Sequence, residues 1–492
     1  MENARLTMMK SIKSFGMKIM QRCVEPAEGK SDIFFWFSKG LGVIYAIAFI
    51  SLMLQFDGLY GEGGILPFSD ILSTLKRSGL SWFDVPHIFV STHSAYFWGA
   101  LWMGLGVSVC MVAGIFPVIT TSMAWIIYVS FVMVGQVFMS FQWDILLCEI
   151  GFLSIWACPC IKHWKKSNTF SPPNLVLWAF YGCCFRLMLA SGLVKFLSGD
   201  PLWPSLEALS FHYYTQPLPH VLSWYAHQLP SWVDKLSLII MFIIECGVPF
   251  LIFISHRTRK IAAYSIFFLM GMISLTGNYT FFNLLTALLA VTLLYSKEQK
   301  SEKQVQAHKQ MTRIRSGVAI AILVLSIMTE GLRFFPRVFS PMSTIVTQCR
   351  PFLLCNTYGL FASMTRTRDE LEILASQDGQ TWKPYHFKYK PNSNADIPKW
   401  VWPHQPRLDW QCWFVSLQGY SRQSWINNLV EGLFVKKEDI ESLFSSIPFK
   451  DPPSYIVLTT RAYRFTTMSE KKETGQWWVS EKRQQFSPVF EL

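Results

Sequence analysis

The sequence predicts a polytopic α-helical membrane bundle of about nine spans, followed by a β-rich, sandwich-like extracytosolic C-terminal domain. Three observations carry this expectation. Of 492 residues, 15% are charged and 51% hydrophobic, against roughly a quarter charged in soluble domains. The apolar residues gather into runs long enough, at about 1.5 Å of rise per residue, to cross a hydrocarbon core about 30 Å thick. Past Pro336 charged residues return, and the pattern becomes short alternating runs broken by turn residues.

Spans are expected over 33–54, 96–116, 119–141, 143–161, 175–197, 236–254, 261–275, 279–294 and 317–332. Orientation follows from Lys and Arg, which near span ends favour the cytosolic side. Under a nine-span count "IKHWKKSN", "SHRTRK", "SKEQKSEKQVQAHKQMTRIR" and the N-terminal stretch carrying Arg5, Lys10, Lys13, Lys18, Arg22 and Lys30 share one side. The opposite loops hold little more than Lys76, Arg77 and Lys235. The expected division is a cytosolic N-terminal segment 1–32, a transmembrane helical domain 33–334 and a luminal or periplasmic domain 335–492. Residues 1–32 have no apolar core, so the first span is expected to act as an uncleaved signal. The formal net charge of +12 is accounted for by loop bias and contact with anionic lipid, and no nucleic-acid partner is expected.

In the C-terminal domain "DELEILASQDGQTWKPYHFKYKP" reads as strand, Asp378-Gly379 turn, strand, because both turn positions tolerate positive φ. "PSYIVLTTRAYRFTT" is a long strand candidate, and "WINNLVEGLFVKKEDIESLF" has helical spacing. Cys110, Cys148, Cys158, Cys160, Cys183, Cys184 and Cys246 lie in or beside spans, where they read as packing residues. Cys349, Cys355 and Cys412 fall in the exported region, where an oxidising compartment permits a disulfide; Cys349 to Cys355 is the candidate pair.

Between the fifth and sixth spans, "FHYYTQPLPHVLSWYAHQLP" sets Tyr213, Tyr214, Trp224, Tyr225, His212 and His227 among prolines. Such rings favour a membrane interface, and proline stiffens the chain. The segment reads either as a cap on the bundle or, with "LYGEGGILP", as the lining of a mouth where a client docks. Trp382, Tyr385, Trp400, Trp402, Trp410 and Trp413 form a second aromatic group, either core or client-holding surface; His404 and Arg407 belong to the same stretch.

Ionisable residues inside spans cost a few kcal/mol or more unless paired or hydrated. Depth counting puts Arg186 and Glu245 both near mid-depth, available for an ion pair, with Lys195 and Asp144 near the outer surface and Glu149 about two turns below Asp144. These five are expected to form an outward-opening polar cluster that Asn278, Asn283, Gln136 and Gln142 join. The competing reading is a set of structural rivets holding helices in register. No metal or cofactor is expected: His220 and His227 lack a third ligand, and no G-x-S-x-G, H-E-x-x-H or Walker loop occurs.

"FQWDILLCEIGFL", "FRLMLASGLVKFLSGDP", "HYYTQPLPHVLSWYAHQLP", "LTGNYTFFNLLT", "DGQTWKPYHFKYKP" and "PHQPRLDWQCWF" resemble, in order, the lipase maturation factor family. The resemblance runs from Asp57 to Thr467. It implies a polytopic endoplasmic reticulum membrane protein whose lumenal C-terminal portion assists folding and assembly of secreted lipases, with exported clients and membrane lipid as partners. A bacterial member would sit in the inner membrane. "SGLVKFLSGDPLW" also looks, more distantly, like the stretch of vitamin K-dependent carboxylases in which a membrane-embedded lysine acts as a base. This resemblance implies an alternative, an integral membrane enzyme using Lys195 with the intramembrane carboxylates.

Overall fold

The computed structural model describes residues 32–166, 170–295 and 309–491. The N-terminal segment 1–31 and the part of the last basic loop at 296–308 lie outside the described residues. In chain order the first half contains α1 Asp32–Met53, α2 Ser94–Ala113, α3 Pro117–Val134, α4 Gln142–Trp156 and α5 Asn174–Leu197. Two short connector helices follow, α6 Ala208–Thr215 and α7 Val221–His227, then α8 Ser231–Phe253, α9 His256–Thr276, α10 Phe282–Val291 and α11 Lys309–Phe334. Seven of these, α1, α2, α3, α5, α8, α9 and α11, are long and apolar enough to cross a membrane.

The boundary between α2 and α3 has a local cause. Gly114 caps α2 at φ 74°, with its N–H returned to Met111, and Pro117 opens α3. A left-handed C-terminal glycine and an N-terminal proline are the expected stop and start. Trp164 N–H donates to the Gly114 carbonyl at 2.7 Å and Phe116 N–H to that of Lys162, which ties the α2–α3 turn to the end of α4.

Two of the nine expected spans are short. The 15 residues of α4 rise about 22 Å, below the roughly 30 Å of a hydrocarbon core, and α10 has 10 residues. Polar contacts gather helix ends into two sets. One end holds the α2–α3 turn, Trp164 and Arg315, whose guanidinium donates to the Cys158 carbonyl. The other holds Ser51 and Gln55 just past or within the end of α1, Asp144 at the start of α4, and Asn278 between α9 and α10, all bonded to the C-terminal region.

That region contains β1 Arg368–Ser376, β2 Lys383–Phe387, α12 Arg407–Gln418, α13 Trp425–Phe434, β3 Phe444–Ser446, β4 Tyr455–Phe465, α14 Met468–Thr474, β5 Trp478–Ser480 and β6 Gln484–Glu491. The strands form one antiparallel sheet in the order β3-β2-β1-β4-β5, with β6 also on β4. Ile373 sits opposite both Tyr385 and Leu458. The 378–379 turn is present, with Gly379 at φ 71° and the Asp378 carboxylate accepting from the N–H groups of Gln380 and Thr381. The sandwich expectation is corrected: among the described residues no second sheet faces this one. Eight of the nine β1 residues are buried because helix α12 and the connector cover the sheet.

The connector is the seat of the sheet. Tyr213 and Trp224 bury their rings against Tyr463, Phe465 and Trp478, and Trp224 Nε1 donates to Thr466 Oγ1 at 3.1 Å.

Inside the bundle α5 and α8 approach closely at Gly192, where a Cβ would collide with Cys246 Sγ and stand 3.0 Å from Glu245 Cβ. Gly192→Leu is expected to force these helices apart at about 1–3 kcal/mol. A lowered thermal midpoint of the detergent-solubilised protein, with a smaller fall for Gly182→Leu, whose Cβ would meet only the Leu323 side chain, checks this.

Candidate functional site

Two buried ion pairs and one buried triad lie where the helices meet the C-terminal region, and a third ion pair lies between α5 and α8. The first joins the start of α12 to the start of α4. Arg407 Nη1 and Nη2 donate to Asp144 Oδ2 and Oδ1, both at 2.9 Å, and both side chains are 0% exposed. Tyr128 O–H donates to Asp144 Oδ1 at 2.5 Å, Arg407 also donates to the Phe138 carbonyl, and its backbone N–H reaches Gln55 Oε1. A forked guanidinium on a carboxylate fixes both distance and direction.

The second pair corrects the depth-based expectation. Arg186 pairs with Glu149, not Glu245, and donates to Ser326 Oγ at 2.7 Å. Glu149 Oε2 in turn accepts from Asn356 N–H at 3.0 Å and Tyr358 O–H at 2.7 Å, so the segment after α11 is sewn onto α4 and α5. Glu245 instead takes Lys195, whose ammonium donates to its Oε2 at 2.7 Å and to the Ser191 carbonyl at 2.9 Å. Glu245 lies on a π-helical turn, Ile243–Gly247. The five expected residues therefore do not form one cluster: four of them make two separate buried pairs, and Asp144 pairs with Arg407 from outside the set.

The triad was hidden in the strand pattern. Arg368, fully buried at the start of β1, donates to the carbonyls of Tyr214, Gln216 and Pro217, the proline-rich elbow of the connector. Glu370 balances it at 2.5 Å and also takes Lys390 at 2.8 Å. Burial alone would push the Glu370 carboxyl up; the Arg368 and Lys390 charges outweigh it and hold the group below the usual glutamate range.

Asn278 completes the seam. Its amide donates to the carbonyls of Leu218 and Lys399, and its carbonyl accepts from the N–H groups of Val401 and Trp402. Asn283 bonds Ser274 within the bundle, and Gln142 accepts from Gly359 N–H. His404 meets Ser51 Oγ at 2.9 Å. Burial, then the charges of Arg407 and Lys388, pull its imidazole down to about 4.

The aromatic residues are mostly spent on this seam. Tyr213, Trp224, Tyr385 and Trp410 are buried, and Trp413 Nε1 donates to the Thr215 carbonyl. Tyr214 O–H donates to the Arg366 carbonyl, His227 packs its ring near those of Tyr214 and Phe465, and Trp402 lies beside Trp400. Tyr225 and Trp400 remain half exposed. The expected disulfide is corrected too: Cys349 and Cys355 are free thiols, because Cys355 turns inward to Ser326 Oγ at 3.2 Å and the Ile322 carbonyl.

Arg407→Ala leaves Asp144 buried without its cation and is expected to cost about 3–5 kcal/mol, whereas Arg407→Met with Asp144→Leu recovers most of it. Thermal midpoints and protease resistance of the purified protein check both. His404 predicts a separate pH dependence. Its folded pKa of about 4 lies below the roughly 6.5 of an unfolded imidazole. The stability it lends is complete above about pH 6.5 and drains as pH falls toward 4, since only the unfolded chain takes up the proton. Glu370, held below its ordinary range, loses its contribution in a lower window, as pH falls below about 4. A melting series from pH 7 to 4.5 should decline, and His404→Asn should make the decline shallower, the remainder coming from His212, whose imidazole is likewise pulled down by burial to about 4.

Two family models cover most of the molecule. The lipase maturation factor transmembrane domain matches residues 34–301, and the lipase maturation factor C-terminal domain matches 354–488. The chain is 31% identical to lipase maturation factor 2 of Xenopus laevis, over 93% of this chain and 81% of that protein. It is 30% identical to lipase maturation factor 2 of Homo sapiens, over 93% and 82%, and 29% identical to lipase maturation factor 1 of Bos taurus, over 93% and 89%. No solved structure matches it. With its apolar helices and the sheet seated on their ends, the chain belongs to the lipase maturation factor family.

Proposed function

We propose that this integral membrane protein is a maturation factor for exported proteins, with lipases as the client class that the names of its relatives supply. The bundle crosses the membrane nine times in this reading, the short α4 and α10 included. Its divisions are those expected, with 1–32 cytosolic, 33–334 in the membrane and 335–492 in the lumen of the endoplasmic reticulum or, for a bacterial chain, the periplasm. One observation carries the reading: the C-terminal sheet is sealed to the helix ends opposite those flanked by Lys162, Lys165, Lys166, Arg257, Arg259, Lys260, Arg313 and Arg315. Basic residues mark the cytosolic side, so the sheet faces the other compartment. Client contact then belongs to what the seam leaves open, such as Ile397, 57% exposed, and the outer face of Trp400, 46% exposed, whose other face stacks on His220 at 4.6 Å.

The alternative enzyme reading draws on Lys195 lying against the π-helical turn at Glu245, since such turns are frequent at functional sites. A lysine acting as a base needs a free lone pair, and here its nitrogen donates to a carboxylate and a carbonyl.

The maturation reading expects a glycosylation acceptor appended to the C-terminus to be modified and one inserted near residue 257 to stay bare; the reverse pattern overturns it. Trp400→Ala with Ile397→Asp should lower the yield of active secreted lipase at unchanged abundance. Lys195→Met with Glu245→Leu should leave that yield per molecule intact, and abolition of activity at normal abundance would favour the enzyme.

A further inference from the structure

Three rings at the edge of the connector stand at right angles to one another. Trp224 and Tyr225 have centroids 5.0 Å apart at 88°, Trp224 and Trp477 5.4 Å apart at 77°, and Tyr225 and Trp477 6.5 Å apart at 83°. In the corner sits a cation, the Lys471 ammonium, 3.0 Å from the Trp477 centroid and 5.3 Å from that of Trp224. Among the described residues it has no ion pair. Lys471 belongs to α14, which has no buried residue and is held at its start by the Thr467–Glu470 capping box, so its side chain can leave without unpacking a core.

A corner of mutually perpendicular rings is the geometry that binds quaternary ammonium groups through their ring faces. A primary ammonium suits it less well, because it is a compact, strongly hydrated charge. The corner's position selects among ligands bearing such a group. Trp224 and Tyr225 lie on α7, and a few residues on, Leu229 and Trp232 are 48% and 65% exposed where the apolar α8 begins. Exposed Trp and Leu at the start of a membrane helix mark the interface between acyl chains and headgroups.

We propose that the Trp224–Tyr225–Trp477 corner is a binding site for the choline headgroup of a lipid in the non-cytosolic leaflet, with Lys471 as a built-in occupant that the headgroup displaces. Trp224 is at once a wall of this corner and, through Thr466, part of the seat of the sheet. Occupation by lipid would thus be read directly by the joint between bundle and sheet.

The test uses the full chain purified in a maltoside detergent and native mass spectrometry of retained lipid, with phosphatidylcholine, phosphatidylethanolamine and phosphatidylglycerol offered in equal amounts. Phosphatidylcholine should be retained about threefold or more above the other two, a modest factor in keeping with a cation–ring contact. Lys471→Ala, on an exposed helix, should raise that preference further, and Tyr225→Ala, at a half-exposed ring, should remove it without moving the melting temperature. Equal retention of the three lipids by Lys471→Ala would overturn the site. Displacement of phosphatidylcholine by free phosphocholine, or by a trimethyl-lysine peptide, at the same concentration would overturn its assignment to lipid.

Discussion

The forked pair between Arg407 and Asp144 sets the height and direction at which the C-terminal region meets the bundle. Two charges without solvent exposure gain little net stability, because desolvation costs several kcal/mol per ion. Their value lies in registry. Asp144 is held by Tyr128 from α3 and Arg407 by the Phe138 carbonyl, so four groups converge and a shift of one residue in α12 would break every bond that Arg407 makes there. Once α12 is placed, β1 follows because it packs on α12, and the sheet order follows from β1.

In the nine-span arrangement proposed above, the shortness of α4 and α10 makes this seam possible. A helix that stops below the membrane surface exposes backbone groups at a depth where water is scarce, and irregular chain is tolerated there only when buried in protein. The C-terminal region supplies that burial. Asn356 and Tyr358 descend to Glu149, about two turns into α4, while Val401 and Trp402 close over Asn278 before α10 begins. Short helices and inserted loops are thus two halves of one solution.

What could be read in the sequence follows the physics of each signal. Hydrophobic runs located the seven helices long and apolar enough to cross a membrane, because apolar length is a local property. The partner of Arg186 was misassigned because depth along a helix is legible and the direction a residue faces around it is not; Glu149 and Glu245 differ in that second coordinate. Arg368 gives no signal in the sequence because a lone arginine in an alternating strand usually faces solvent, whereas this one is aimed at three connector carbonyls on a segment more than 150 residues earlier. The sandwich failed for a related reason: a strand covered on both faces looks the same whether a sheet or a helix covers it. The Cys349 to Cys355 spacing carried no information on Ser326, which draws Cys355 inward.

The seam also governs how function in this molecule can be dissected. Removing everything after Pro336 would deprive Asp144 of Arg407, Glu149 of Asn356 and Tyr358, and Asn278 of Lys399, Val401 and Trp402. Several buried polar groups would lose partners at once, each at about 1–3 kcal/mol and more for the charged ones, which rivals the whole stability of a typical domain. A truncated bundle therefore reports its own loosening before it reports any loss of client contact. Substitutions at exposed positions such as Ile397 leave every seam hydrogen bond in place, and only they separate what the C-terminal region touches from what it holds together.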